Sequence, residues 1–290
     1  MRLDNILCPV DFSEFSATAY EYARSLSRHY RAKLFVLHVA EPLLSIYRAY
    51  ISPAFVEEVH ALQELEAREQ VRALEGRFER EPVESEVIVQ IGLVADSIVS
   101  FAQDRDVDLV VMGTHGRRGL DRLMMGSVAE RVLRRVRCAV LAVRECVWTF
   151  VSPGSTHEPI RLQRLLCCVD FSENSPRALE YAFSLALEYR AEVALLHVLE
   201  DSEVHADEQS HALKCLENLI PSEARNWATL VPIVRSGKPY EEIIEHAAQT
   251  QTDLIIMGVR GRNALDLALF GSTTHRVIQL GPCPVLVVKG

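Results

Sequence analysis

Apolar residues fall in two alternating rhythms along this chain. Short runs such as ILCPV (6–10), KLFVLHV (33–39), SEVIVQI (85–91), LVVM (109–112) and AVLAV (139–143) are nearly continuous in Val, Ile and Leu. That pattern predicts strands buried on both faces of a parallel sheet. Between them the period changes to that of a helix. Ala19, Tyr22, Ala23, Leu26 and Tyr30 form one stripe, and Ala67, Val71, Leu74 and Phe78 form another within a helical region at about 53–80. ADSIVSFAQD (95–104) and SVAERVLRRV (127–136) predict two more helices. Ser13 and Ser16 stand where the first helix needs a side-chain cap for its unpaired amides.

The pattern then repeats. ILCPVDFS (6–13) returns as LLCCVDFS (165–172), and the first helical stripe returns as Ala178, Tyr181, Ala182, Leu185 and Tyr189. Ser175-Pro176 gives the second copy a cap followed by proline at the first helical position. His38-Val39 matches His197-Val198, Asp108-LVVM-Gly113 matches Asp253-LIIM-Gly258, and CAVLAV (138–143) matches CPVLVV (283–288). The later matches are closer together in sequence than the earlier ones, so one connection between His38 and Gly92 is longer in the first copy. Its counterpart in the second copy is a shorter helix near 206–219.

Alternating β and α segments predict an α/β fold of two tandem, doubly wound, Rossmann-like domains. Each has a five-stranded parallel sheet of order 3-2-1-4-5, as right-handed crossovers favour. The expected boundaries are 1–146 and 161–290, with 147–160 (VWTFVSPGSTHEPI) as the linker. Each copy ends on an apolar strand at a sheet edge. An unpaired edge of that kind invites pairing, so the copies are expected to pack as a pseudo-dimer through their fifth strands.

Composition narrows the function classes. The 290 residues are 49% hydrophobic and 24% charged, enough to bury a core in each half. A net charge of −9 argues against a nucleic-acid partner, which calls for a basic face. The seven cysteines contain no C-x-x-C and sit mostly in strand runs, so reduced, buried thiols are expected. Cys167 and Cys168 are adjacent, but neighbouring strand side chains point to opposite faces. Residues 1–10 reach Asp4 without a leader's apolar core or cleavage site, and no apolar run is long enough to cross a bilayer. A cytoplasmic location without membrane contact is expected.

Open parallel sheets take ligands at the carboxyl ends of their strands, where the strand order reverses. Here that point lies between the first and fourth strands of each copy. Asp11 and Asp170 end the first strands, and Gly113 and Gly258 end the fourth. Behind Gly113 runs the spacing Gly113-x2-Gly116-x9-Gly126-Ser127, repeated as Gly258-x2-Gly261-x9-Gly271-Ser272. Glycines permit a tight turn and close backbone approach. Gly126-Ser127 opens a helix whose first amides and dipole form a seat for an anion, with the Ser127 hydroxyl beside it. Arg117, Arg118, Arg122, Arg260 and Arg262 lie in the intervening loops, where they either screen phosphate charge or stay solvated. The alternative reading is that the glycines are turns, the serines N-caps and the aspartates helix starts.

This spacing, with an Asp ending the first strand, resembles the ATP-binding branch of the universal stress protein family over nearly the whole chain. The resemblance implies that the Asp and the end of the second strand hold adenine and ribose, and that the glycine loop and Ser hold phosphates. Carried over by position, the first site is Asp11, Val39, Gly113, His115, Gly116, Gly126, Ser127 and Val128. The second is Asp170, Val198, Gly258, Arg260, Gly261, Gly271, Ser272 and Thr273. The second copy departs at Cys168 for Pro9, Arg260 for His115 and Ala264 for Gly119. The implied ligand is ATP with Mg2+ held by its phosphates, while AMP or another nucleotide remains open. The family also implies dimers of the tandem and an unidentified regulatory protein partner.

Neither a Walker loop nor a nucleophile elbow, zinc-protease motif or dinucleotide fingerprint is present. His38 and His197 end matched strands and read as satisfied strand-end histidines. No nucleophile, base and orienting group are brought together by the pattern. The expected function is therefore an ATP-binding stress-response regulatory module, at most a slow ATPase. The alternatives are a nucleotide-hydrolysing or nucleotidyl-transferring enzyme of related fold, and a nucleotide-free interaction scaffold.

Overall fold

The continuous Val/Ile/Leu runs form strands and the periodic segments form the helices between them. In this computed structural model the described residues are 2–41, 53–76, 83–115, 125–144, 160–172, 175–200, 206–226, 228–259 and 271–289. The first half reads β1 (Asn5–Pro9), α1 (Glu14–Tyr30), β2 (Lys33–Ala40), α2 (Pro53–Gly76), β3 (Ser85–Ile91), α3 (Val94–Asp104), β4 (Leu109–Gly113), α4 (Ser127–Arg135) and β5 (Ala139–Val143). The second reads β6 (Arg164–Cys168), α5 (Ser175–Tyr189), β7 (Glu192–Leu199), α6 (Ala206–Asn218), a short 3-10 helix (Ser222–Asn226), β8 (Leu230–Ser236), α7 (Pro239–Thr250), β9 (Leu254–Gly258), α8 (Ser272–Leu280) and β10 (Val285–Val288). Phe78 and all of the expected linker except Ile160 lie outside the described residues.

One ten-stranded sheet runs through both halves in the order β3-β2-β1-β4-β5-β10-β9-β6-β7-β8. Each half is thus a 3-2-1-4-5 sheet, and the two meet at their fifth strands. β5 and β10 pair antiparallel, with Leu286 opposite Leu141 and Val287 opposite Val140. The expected pseudo-dimer is this join: two apolar edges that would be exposed alone are buried by each other. The pairs within each half are parallel.

Strand alternation splits the core into two layers, one on each sheet face. One layer holds Ile6, Cys8, Leu34, Leu141, Cys167 and Leu286 with the buried stripes of α1 and α5. The other holds Leu7, Phe35, Val140, Leu166 and Val287 with α3, α4, α7 and α8. Cys167 and Cys168 accordingly face opposite layers. Burial pushes the Cys167 thiol up to about 12 and the Cys138 thiol up to about 11. Both stay protonated and poorly nucleophilic at neutral pH.

Helix starts and ends follow local chemistry. Ser13 caps α1 by accepting from the Ser16 amide at 3.2 Å. Asp108 accepts from the Asp4 and Asn5 amides at 2.8 and 2.9 Å, tying the entrance of β4 to that of β1. Asp253 does the same for Gln163 and Arg164, both at 2.8 Å. Across the join, Arg144 donates to the Gln279 and Gly281 carbonyls at the end of α8, and Lys289 donates to the Leu133 carbonyl near the end of α4. Each half therefore sends the cation after its fifth strand to the carbonyl end of the other half's last helix, where the dipole favours positive charge.

Candidate functional site

The carboxyl ends of β1, β2 and β4 surround a cavity of about 750 Å³ in the first half. Its floor includes Asp11, Val39 and Gly113; α4 contributes Ser127 and Val128, and α2 leans over from the other side with Gln63, Glu66 and Gln70. His115 and Gly126 also line it. Seven of the eight residues expected at the first site thus line this cavity. The eighth, Gly116, lies outside the described residues, as do Arg260 and Gly261 of the second site, the loop arginines, Gly119 and Ala264.

Asp11 is placed by the turn between β1 and α1. Its Oδ1 accepts from the Ser13 amide at 3.0 Å and the Ser13 hydroxyl at 2.6 Å. Making that turn puts Phe12 at φ 63°, a left-handed conformation rarely taken by a bulky residue. The second half repeats it: Phe171 has φ 58°, and Asp170 Oδ1 accepts from the Ser172 amide at 3.0 Å and the Ser175 hydroxyl at 2.8 Å. Strain held identically in two copies marks a place where the surrounding structure fixes the backbone. Sequence reasoning missed Phe12 and Phe171, although the repeated Asp-Phe-Ser was the available signal.

Behind each phenylalanine stands a histidine. The Phe12 and His38 rings are 4.6 Å apart, as are Phe171 and His197. His38 Nδ1 donates to the Val10 carbonyl at 2.8 Å and His197 Nδ1 to the Val169 carbonyl at 2.7 Å. These are the satisfied strand-end histidines that the pattern suggested. They brace the ends of β1 and β6.

Gly113 and Gly126 are small for reasons internal to the protein. A Cβ at Gly113 would lie 3.0 Å from the Phe15 carbonyl carbon and oxygen, at the start of α1. One at Gly126 would lie 3.3 Å from the Thr114 carbonyl oxygen. The Gly126 amide donates to that same carbonyl at 2.8 Å, which holds the start of α4 against the end of β4. In consequence α4 points its first amides, which have no partner within the helix, toward the cavity. His115 is buried beside them, its Nδ1 2.9 Å from the Thr114 hydroxyl and its ring 5.0 Å from that of Phe15.

In the second half Asp170, Val198 and Gly258 stand at the ends of the corresponding strands, and Gly271, Ser272 and Thr273 form the start of α8. Thr274 adds a bond the first half lacks, donating its hydroxyl to the Gly258 carbonyl at 3.1 Å where Ala129 stands in α4. Among the described residues no cluster of three or more His, Cys, Asp and Glu side chains is arranged to hold a metal, and no helix is long and apolar enough to cross a membrane.

Comparison with known proteins gives a consistent result. A family model described as the universal stress protein family matches residues 2–144 and 161–289. Universal stress protein YxiE of Bacillus subtilis is 32% identical over 145 residues, covering 43% of this chain and 98% of its own length. Universal stress protein MJ0531 of Methanocaldococcus jannaschii is 31% identical over 140 residues, covering 48% of this chain and 81% of its own. Both match about half of the chain, as a repeat requires. The crystal structure of a universal stress protein from Archaeoglobus fulgidus aligns over 100% of this chain and 99% of that one, with a TM-score of 0.70 and 24% identity. At that identity the likeness speaks for the tandem fold alone.

Proposed function

The chain belongs to the universal stress protein family, and on that premise we propose that it is an adenine-nucleotide-binding regulatory module, with ATP as the ligand and the two halves, 1–146 and 161–290, as the binding units. The observation that carries this reading is the first-half cavity, which joins an acidic strand end to a helix entrance. Its volume of about 750 Å³ falls in the range of small-molecule pockets. Asp11 and the Val39 backbone would hold the ribose and base, and the amides of Ser127 and Val128 with the Ser127 hydroxyl would hold the phosphates. Helix entrances favour anions through unpaired amides and the dipole. Mg2+ would arrive on the phosphates.

The buried Thr114 hydroxyl and His115 Nδ1 meet at 2.9 Å beside the phosphate end; as a regulatory module the chain is not expected to hydrolyse ATP faster than about 1 per second, the low end for dedicated enzymes. The module would act by presenting different surfaces to a protein partner with and without nucleotide. A second reading, a nucleotide-free scaffold, is favoured by one observation: Asp11 and Gly113 already have intrachain tasks. Release of bound small molecules by heat from the purified full-length chain, identified by mass, separates the two. An adenine nucleotide released, with ATP raising the melting temperature of the emptied protein, supports the module. Neither release nor stabilisation would leave the scaffold.

A further inference from the structure

The first-half cavity has two unlike ends. At one end α4 presents amides and a hydroxyl, a setting for negative charge. At the other, α2 packs over β3 and β2 and turns Gln63, Glu66, Ala67 and Gln70 inward, a stripe at helical spacing. In that wall the Gln63 Oε1 is buried and has no hydrogen-bond partner among the described residues. A buried acceptor left unmade is costly. A residue that keeps one at a cavity wall is explained by a donor that arrives with the ligand. Glu66, one turn along and accepting from the Gln70 side-chain amide at 3.1 Å, and Glu41, just past β2, are exposed carboxylates that line the same end. Two carboxylates there favour a donor and repel a carbonyl oxygen.

We propose that Gln63 is the specificity-determining residue of the first site, reading the 6-position of a purine by accepting a hydrogen bond from the exocyclic amine of adenine. A 6-oxo purine would bring an acceptor to Oε1, to be met only by turning the amide over to offer its NH2, and would lie beside two carboxylates. Gln63 belongs to α2, whose 24 residues compare with 13 in α6. The longer connection of the first half is therefore what equips that site to choose its base. This inference rests on the nucleotide reading of the same cavity.

The test compares ATP with inosine triphosphate, which differs by the 6-amino to 6-oxo exchange, by calorimetric titration of the full-length chain carrying Gly271→Val to block the second half. The chain with Gln63 intact should bind ATP about 10–100-fold more tightly, the scale set by a missing or mismatched buried hydrogen bond. Gln63→Leu should weaken ATP at least about 10-fold and the inosine nucleotide far less, collapsing the preference. Gln63→Glu keeps the acceptor, removes the NH2 that a turned amide could offer a 6-oxo purine, and should keep or sharpen the preference. Equal weakening of both nucleotides by Gln63→Leu, or an intact chain that binds both alike, would overturn the assignment while leaving nucleotide binding standing. Should Gln63→Leu not fold, Gln63→Glu decides alone, loss of its ATP preference overturning the proposal. An intact chain that binds neither nucleotide sinks the nucleotide reading itself.

Discussion

At Gly113 the methyl group of an alanine would meet backbone atoms of Phe15 at 3.0 Å, and backbone cannot swing aside as a flexible side chain can. Gly113→Ala should therefore destabilise the protein by about 1–3 kcal/mol, read as a shift in urea midpoint at constant slope. Gly126→Ala, whose added carbon sits 3.3 Å from one carbonyl oxygen, should lower stability by less than about 1 kcal/mol. If the two substitutions were equally harmless, the close approach at Gly113 would not be what demands glycine. His246 offers the opposite case. It is 6% exposed in α7, its Nε2 has no partner among the described residues, and burial with Arg235 nearby holds its pKa below the usual 6.5. A folded-state pKa below the unfolded one means the unfolded chain binds the extra proton first. Stability from this residue is complete above about pH 6.5 and falls as pH drops toward the depressed value. His246→Phe, which puts in α7 the residue that stands at the matching position of α3 (Phe101), should raise stability by about 1 kcal/mol and flatten denaturation midpoints between pH 7 and 5. An unchanged acid slope would exclude His246 as its source. The glycine spacing and Asp11 were legible in the sequence because they recur. Why Gly113 must be glycine was not, because Phe15 belongs to another element and meets it only in the fold.

The helices show a similar division. α1 and α2 were legible from their stripes, since Ala19, Ala23, Leu26, Ala67, Val71 and Leu74 are all buried. The cavity-facing polar residues of α2 were not, because Gln63, Glu66 and Gln70 look like the solvated face of any amphipathic helix. Only the neighbouring strand ends make them a wall. The C-terminal ends of α1 and α5 carry another relation that the sequence encodes but does not display. His29 and Glu188 are equivalent positions in the two copies, and they meet: His29 Nε2 lies 2.7 Å from Glu188 Oε1, while Tyr30 donates to Glu188 Oε2 at 2.9 Å. The His29 ring also stacks on Tyr189 at 5.0 Å. A half paired with a copy of itself would set His against His or Glu against Glu, so this contact favours unlike halves. Being a quarter to a third exposed, the pair is screened by solvent, and a double-mutant cycle of His29→Ala and Glu188→Ala should give a coupling of about 0.5–1 kcal/mol that shrinks in high salt. A coupling of zero would reduce the contact to packing by the tyrosines.

For the whole molecule, the apolar runs at 139–143 and 283–288 foretold that the fifth strands would pair, because neither could be left as an edge. Their antiparallel register and the crossed caps from Arg144 and Lys289 could not be read, since both depend on a pseudo-twofold relation that no local pattern carries. That relation makes the two sites alike in frame, yet the surrounding chain is not symmetric. The first site is roofed by the longer α2 and has Ala129 in the first turn of α4; the second has the shorter α6, and Thr274 bonds the Gly258 carbonyl. A hydroxyl that ties β9 to α8 stiffens the second helix entrance before any ligand arrives, which on the proposed nucleotide reading would lower the ordering penalty at a phosphate end there. On the same reading the first site would gain more at the base end, where α2 residues line the cavity. Gains at opposite ends of the ligand offset one another, so ATP should fill two sites whose affinities differ by about 3–30-fold, or about 0.7–2 kcal/mol. Titration calorimetry on the intact chain reads this directly. Asp11→Asn and Asp170→Asn are the informative variants, because an amide oxygen can keep the bonds that each Oδ1 accepts in its own turn, while the charge is lost and the other oxygen becomes an NH2 donor. Each should erase or weaken one step of the isotherm and leave the other in place. A single step abolished by only one of them would make the other half a structural copy without a ligand, and two identical steps would mean that neither α2 nor Thr274 influences binding.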